Sequence, residues 1–223
     1  MLLSLDLGFV NTGYVVVSER GLETYGTITT SKTTNKQGRV SDDNVNRCSH
    51  IATEINKLVT HYGIRGIMGE LPSGGTQSSS AAKAMSLVTG CVGACVAILD
   101  LPCEWCTPLQ TKMALCGSKT ASKQDMMEKA VEVMRGGSEK KANGVQYWMP
   151  LVSGKQGPRM FGSTFEHVAD SLGAFMALES GLLVKLMKVM PLSGGPRSCL
   201  SKKHSKYSTE LPPRRPQRTK PRS

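Results

Sequence analysis

Leu2-Leu3-Ser4-Leu5-Asp6-Leu7-Gly8, then Phe9-Val10-Asn11-Thr12-Gly13, then Tyr14-Val15-Val16-Val17: this opening decides how the chain of 223 residues is read. Residues 2–7 are an apolar run of strand length that carries one carboxylate. Thr12 to Val17 is a second, β-branched run, and Leu22 to Thr29 alternates in part through Tyr25, Thr27 and Thr29. Turn residues bound each run, which predicts three strands. Two such short links leave no room for a crossover, so the three are predicted to form an antiparallel meander.

Beyond residue 42 the period changes. Val45, Cys48, Ile51, Ala52, Ile55, Leu58, Val59 and Tyr62 recur at helical spacing, with Asp42 or Asp43 as the expected N-cap and Gly63 as the stop. Ile64 to Gly69 reads as a short strand. Residues 77–99 read as a helix rich in Ala, Ser, Gly and Cys, and Cys103 to Thr107 as another short strand. Residues 109–115 and 122–134 are predicted helices. The alternation of helix and strand argues parallel strands with crossovers, hence an α/β chain whose five-stranded mixed sheet is flanked by helices. Residues 135–162, rich in Gly, Lys and Ser around Tyr147-Trp148-Met149-Pro150, read as a long loop. Ser163-x-x-Glu166 is a capping box for a helix over about 164–188.

The net charge of +11 is uneven. Residues 196–223 hold nine Lys or Arg and one acid; the preceding 195 hold nineteen against sixteen. The chain therefore divides into a domain over 1–190 and a basic, disordered tail over 191–223. A basic tail suits a polyanion such as nucleic acid, and equally suits solubility alone. No run of about 18 uninterrupted apolar residues is present, so no membrane span is expected. The N-terminus lacks the basic start of a signal peptide, and seven scattered cysteines fit a reducing compartment, so a cytoplasmic location is expected.

Four residues suggest one metal site. Asp6 ends the first strand, Glu70 ends Ile67-Met68-Gly69-Glu70, and His167 and Asp170 lie at i and i+3 of the late helix, on one face. A lone acid at a strand end is more often structural, and a lone helix His is usually unremarkable. Carboxylates on buried strands are costly unless neutralised, and gathered carboxylates repel unless a cation joins them. The set therefore points to Mg²⁺ or Mn²⁺ acting on a phosphate ester. An imidazole ligand moves preference toward Mn²⁺ and predicts activity falling below about pH 6.5. Lys119, Lys123 and Lys129 lie in or before one helix. Lys129 reads as a solvated face, whereas Lys123 follows Ser122, an N-cap at a helix end that favours phosphate. Cys103-x-x-Cys106 has no matching second pair for zinc. Cys91 and Cys95 read as core. Gly74-Gly75-Thr76 lacks the Walker signature, so no nucleotide cofactor is expected. Tyr147-Trp148 suits either base stacking or anchoring of the loop.

Three antiparallel strands followed by helix-strand repeats resemble the ribonuclease H-like layout. Leu5-Asp6-Leu7-Gly8 with Thr12-Gly13-Tyr14 resembles the opening of the RuvC Holliday-junction resolvases. Glu70 falls where their second acid lies. Cys116-Gly117-Ser118-Lys119-Thr120-Ala121-Ser122-Lys123 resembles their glycine-led entry to a basic helix, and His167-Val168-Ala169-Asp170 their closing acidic pair. Gly69-Glu70-Leu71-Pro72 with Gly74-Gly75-Thr76-Gln77-Ser78 is most similar to bacteriophage-encoded members. The resemblance covers roughly residues 2–185. It departs at Pro72-Ser73-Gly74-Gly75, where relatives carry a junction-probing Phe, and in the tail.

The resemblance implies a metal-dependent endonuclease that cuts four-way or other branched DNA in pairs, leaving 5′-phosphate and 3′-hydroxyl ends. It implies two ions, with Asp6 bridging them and Glu70, His167 and Asp170 as further ligands, and Lys112 and Lys123 near the scissile phosphate; Lys119 joins them as a DNA contact. Paired cuts call for a two-fold homodimer, for which the 77–99 helix is one candidate surface. The rivals are a ribonuclease H-like nuclease on hybrid or ordinary duplex, a non-catalytic DNA-binding module of the same fold, and a kinase-like ATPase, for which the chain is too short.

Overall fold

The computed structural model describes residues 1–19, 21–32, 39–71, 78–136, 140–142, 145–147 and 164–189. The residues Pro72-Ser73-Gly74-Gly75, Trp148 and Ser163, and the basic tail, lie outside them, as does the side chain of Tyr147.

The first three strands are β1 (Leu2–Asp6), β2 (Asn11–Ser18) and β3 (Gly21–Thr29), and they form the expected antiparallel meander. Next come α1 (Val40–Tyr62), β4 (Ile67–Glu70), α2 (Ser79–Ile98) and β5 (Cys103–Cys106). Both β4 and β5 add in parallel, giving a five-stranded mixed sheet of order β3-β2-β1-β4-β5. The remaining elements are α3 (Pro108–Cys116), α4 (Lys123–Gly136), a small hairpin of β6 (Lys140–Ala142) and β7 (Val145–Tyr147), α5 (Thr164–Leu178) and α6 (Leu182–Val189).

Strand alternation divides the core into two layers. Leu3, Leu5 and Ile67 point to one face and bury against Ile51 and Ile55 of α1 and Val88 and Val92 of α2. Leu2 and Met68 point to the other, with Val168, Leu172 and Phe175 of α5 and Met126 and Met134 of α4. Burying each such side chain contributes about 1.5–3 kcal/mol. Two contacts seat the start of α5 on the meander: Tyr25 meets Phe165 edge to face with centroids 6.5 Å apart, and Thr27 Oγ1 donates to the Thr164 carbonyl at 3.1 Å.

The structure corrects several details. The N-cap of α1 is Arg39, which makes no side-chain cap bond, and Asp42 and Asp43 lie within the first turn, where acids oppose the positive helix end. Gly63 does end the helix, in the left-handed region at φ 59°. Val45 is 66% exposed, while Arg47, absent from the apolar stripe, is 7% exposed. Arg47 is buried because its guanidinium is satisfied: it donates to the Thr30 hydroxyl and the Phe9 carbonyl and covers the Phe9 ring. The late helix is two. It breaks at Gly181, and Glu104 of β5 accepts the free amides of Leu182 and Leu183 that open α6. The expected 135–162 loop contains the β6–β7 hairpin. Although no uninterrupted apolar run exists, α2 is long and apolar enough to cross a membrane by length and composition; here it packs Val88 and Val92 into the α1 layer.

Candidate active site

The alternation that sorts the core also builds the site. Along β1, Leu2, Ser4 and Asp6 share the α5 face; along β4, Met68 and Glu70 do. Asp6 and Glu70 are direct neighbours across the parallel β1–β4 pair, so two carboxylates end adjacent strands side by side. α5 crosses above them and supplies His167 and Asp170. Asp6 Oδ2 and His167 Nδ1 are 2.6 Å apart.

Backbone contacts fix the height of α5. The Ser4 hydroxyl donates to the Ser171 carbonyl at 2.8 Å, and the Ser171 hydroxyl donates to the His167 carbonyl at 2.7 Å. Gly13 of β2 lies beneath the helix, and a Cβ there would fall 2.1 Å from the His167 carbonyl oxygen. Only glycine lets the helix come this close.

Burial and mutual charge dominate the electrostatics. Burial first, then the charges of Asp6, Glu70 and Glu166, push the Asp170 carboxyl up to about 8, against a smaller opposing pull from His167. Burial likewise pushes Glu70 up to about 7, with Asp6 adding to it, while a hydrogen bond from Thr111 and the charge of Lys112 pull it back. The hydrogen bond to Asp6 holds the His167 imidazole above its usual range, against burial. The site thus carries more negative charge than its own cations offset.

The structure brings Asp6, Glu70, His167 and Asp170 together. It also draws in three residues that the motifs did not single out. Thr111 of α3 is fully buried, its hydroxyl donates to the Thr107 carbonyl at 3.3 Å, and it pulls Glu70 toward its charged form. Glu166 reaches Lys123, and Ser4 ties β1 to α5. A polar residue inside an apolar strand was the one available signal for Ser4; Glu166 was marked only as a capping residue, and Thr111 gave no signal. Ser122 caps α4 as expected, through reciprocal bonds with Asp125. The expected capping box involves Ser163, outside the described residues, and the Glu166 carboxylate meets Lys123 at 2.5 Å. Lys112 is half-buried and donates to the Ala121 carbonyl at 2.7 Å. Lys119 is exposed in the turn before α4. Cys103 is exposed and Cys106 buried, on opposite sides of β5, which does not suit a shared zinc.

Among the described residues, no three His, Cys, Asp or Glu side chains are drawn up as a ready cation cage. The donor set nevertheless fits a hard divalent ion. Three carboxyls and one imidazole lie near enough to influence one another's charge, and burial, followed by their mutual repulsion, keeps Glu70 and Asp170 from ionising readily.

No protein-family profile matches the chain, and no curated protein matches it in sequence. Solved structures do. Thermus thermophilus RuvC in complex with a Holliday junction substrate aligns with a TM-score of 0.55 at 19% identity, covering 79% of this chain and 90% of that one. A second Thermus thermophilus RuvC structure gives 0.52 at 19% identity, over 79% and 91%. The yeast mitochondrial Holliday junction resolvase Ydc2 gives 0.53 at 12% identity, over 84% and 83%. With its five-stranded mixed sheet and flanking helices, the chain has the ribonuclease H-like fold that RuvC has.

Proposed function

We propose that the chain is a metal-dependent, structure-selective DNA endonuclease that resolves four-way or other branched DNA by paired phosphodiester hydrolysis, as a member of the RuvC-like resolvases akin to phage-encoded ones. One observation carries the reading. Asp6 and Glu70 end neighbouring strands under His167 and Asp170 of α5, on the fold of proteins named as Holliday junction resolvases.

Asp6, Glu70, His167 and Asp170 would hold Mg²⁺ or Mn²⁺, two ions per site. Such ions supply a water nucleophile at neutral pH and offset charge on the leaving 3′ oxygen, so the products carry 5′-phosphate and 3′-hydroxyl ends. The chain's own residues set the rest. Thr111 favours the charged form of Glu70. The Nδ1 contact with Asp6 leaves His167 Nε2 and the second Asp6 oxygen as the atoms that could serve as ligands. Lys112, Lys119 and Lys123 are assigned to the phosphate backbone, where each neutralised phosphate adds salt-sensitive affinity; the influence of Lys112 on Glu70 and of Asp170 and Asp6 on Lys123 supports two of the three. Paired cuts call for a two-fold dimer. The exposed face of α2, with Ala82, Ser86, Gly90, Gly93 and Ala97, supports close packing against a second copy.

The test is cleavage of a labelled four-way junction beside its linear duplex and an RNA–DNA hybrid, with Mg²⁺ or Mn²⁺, by wild type and Asp6→Asn. Paired cuts near the branch point, absent from the variant, are expected. Cutting of hybrid or linear duplex alone would reassign the substrate, and binding without cutting would make the chain a non-catalytic module.

A further inference from the structure

Lys123 opens α4 and Glu166 sits in the first turn of α5, and neither is needed for the core faces of those helices. Their side chains meet across the rim of the carboxylate cluster, Nζ to Oε1 at 2.5 Å, with the lysine 77% exposed and the glutamate 19%. The ammonium also feels the charges of Asp170 and Asp6, so it lies at the mouth of the site rather than away from it. Glu166 in turn adds to the negative charge around Asp170. It is therefore a fourth acid of the cluster, compensated by a lysine that sequence and fold put forward for the phosphate backbone.

A carboxylate and a phosphodiester offer an ammonium the same partner, an anionic pair of oxygens. A pair this open to water is held weakly, so a polyanion can displace it. We propose that Glu166 stands in for a DNA phosphate: it occupies the Lys123 ammonium in the DNA-free protein and surrenders it when a phosphate reaches the mouth of the site. The proposal rests on the reading of the chain as a DNA nuclease. Its consequence is selectivity. DNA that does not bring a phosphate to this point leaves the lysine closed and gains nothing from it.

Three roles for Glu166 predict different signs. As a placeholder, its removal frees Lys123 and tightens binding only while Lys123 is present. As bulk negative charge, its removal tightens binding whether or not Lys123 is present. As a structural support for Lys123, its removal weakens binding.

The experiment measures affinity of the full-length chain for a synthetic four-way junction in EDTA, at fixed salt, for wild type, Glu166→Gln, Lys123→Ala and the double variant. Glu166→Gln is expected to tighten binding about two- to fivefold, the range an exposed pair represents, and to change nothing in the Lys123→Ala background. Equal tightening in both backgrounds, or weakening, would overturn the proposal.

A DNA-free arm follows acetylation of Lys123 by an activated ester, read by peptide mass spectrometry. Glu166→Gln is expected to accelerate it about two- to fivefold, and an unchanged rate would overturn the pair itself. A chain that shows this acceleration yet binds no DNA would sink the nuclease reading and the exchange together. DNA binding with strictly additive variants would sink the exchange alone.

Discussion

Asp6 and His167, 161 residues apart in sequence, are joined by a hydrogen bond of 2.6 Å from Oδ2 to Nδ1. In the metal-free protein the imidazole acts as the counter-charge to the carboxylate that ends β1. A divalent ion entering the site would take over that task.

Asp6→Asn separates the functional and structural roles of that carboxylate. Outer partners of metal ligands cost about 10–100-fold in activity when lost, so loss of a ligand is expected to cost at least about a hundredfold in cleavage. The metal-free variant loses the bond to His167 but also removes one charge from beside Glu70 and Asp170, so its Tm is expected to shift by only a few degrees. Circular dichroism in EDTA checks this. A clear drop in Tm would mean that Asp6 serves the fold rather than the chemistry.

The pH dependence follows from the signs of the shifts. Glu70 and Asp170 have folded values of about 7 and about 8, above ordinary carboxyl values, so the native state holds more protons than the unfolded chain. His167 is also raised, with the same sign. Stability of the metal-free protein is therefore expected to fall as pH rises from about 5 to about 8. Mn²⁺ or Mg²⁺ should restore it at the alkaline end, where the ligands are ionised. Binding should release protons, and calorimetry in two buffers of different ionisation heat would measure them. The histidine motif alone predicted activity failing below about pH 6.5. At limiting metal concentration the burial of Glu70 and Asp170 moves that limb up toward 7–8, and saturating metal should pull it back down; a limb indifferent to metal concentration would contradict the buried cluster.

Thr111→Val keeps the shape that packs beneath Gly173 and removes the hydroxyl that bonds the Thr107 carbonyl and pulls Glu70 toward its charged form. The loss should cost about 1 kcal/mol in urea denaturation. It should also raise the acidic limb of the pH–rate profile, lowering activity at pH 7 more than at pH 8.5. A uniform loss at every pH would assign Thr111 to packing alone.

Gly13→Ala places a methyl group 2.1 Å from the His167 carbonyl oxygen, a backbone atom that cannot swing aside. Overpacking of this kind costs about 1–3 kcal/mol, and lifting α5 would carry His167 and Asp170 away from Asp6. Urea denaturation and cleavage should fail together, whereas full activity in the variant would mean that α5 tolerates a higher seat.

Much of this site was legible because strand parity is strict. Once Leu2-Leu3-Ser4-Leu5-Asp6 is a buried strand, Asp6 must share a face with Leu2 and Ser4, and Glu70 with Met68. The i, i+3 spacing of His167 and Asp170 fixed their common face in the same way. Local periodicity is silent about pairs made by distant elements. Nothing in the run around Thr111 announces Glu70, and Glu166 reads as half of a capping box until Lys123 is found beside it. Arg47 was missed for a related reason: a charged residue enters the core when its partners arrive from other elements, here Phe9 and Thr30.

Gly90 and Gly93 test the second copy. Both lie on the exposed face of α2, and a Cβ at either meets nothing within 4 Å in the single chain. Glycine inside a helix costs about 0.5–1 kcal/mol relative to alanine. Gly90→Ala should therefore raise Tm by the amount this implies if the face is bare. Small residues also let helices approach closely, so Gly90→Leu should drive a dimer apart. Sedimentation with and without junction DNA distinguishes the two. A wild-type dimer that Gly90→Leu converts to a monomer, with cuts on one strand replacing paired cuts, is the expected result. A dimer indifferent to Gly90→Leu would move the interface off α2, and a chain that stays monomeric on junction DNA would leave a nuclease without the paired cuts of a resolvase.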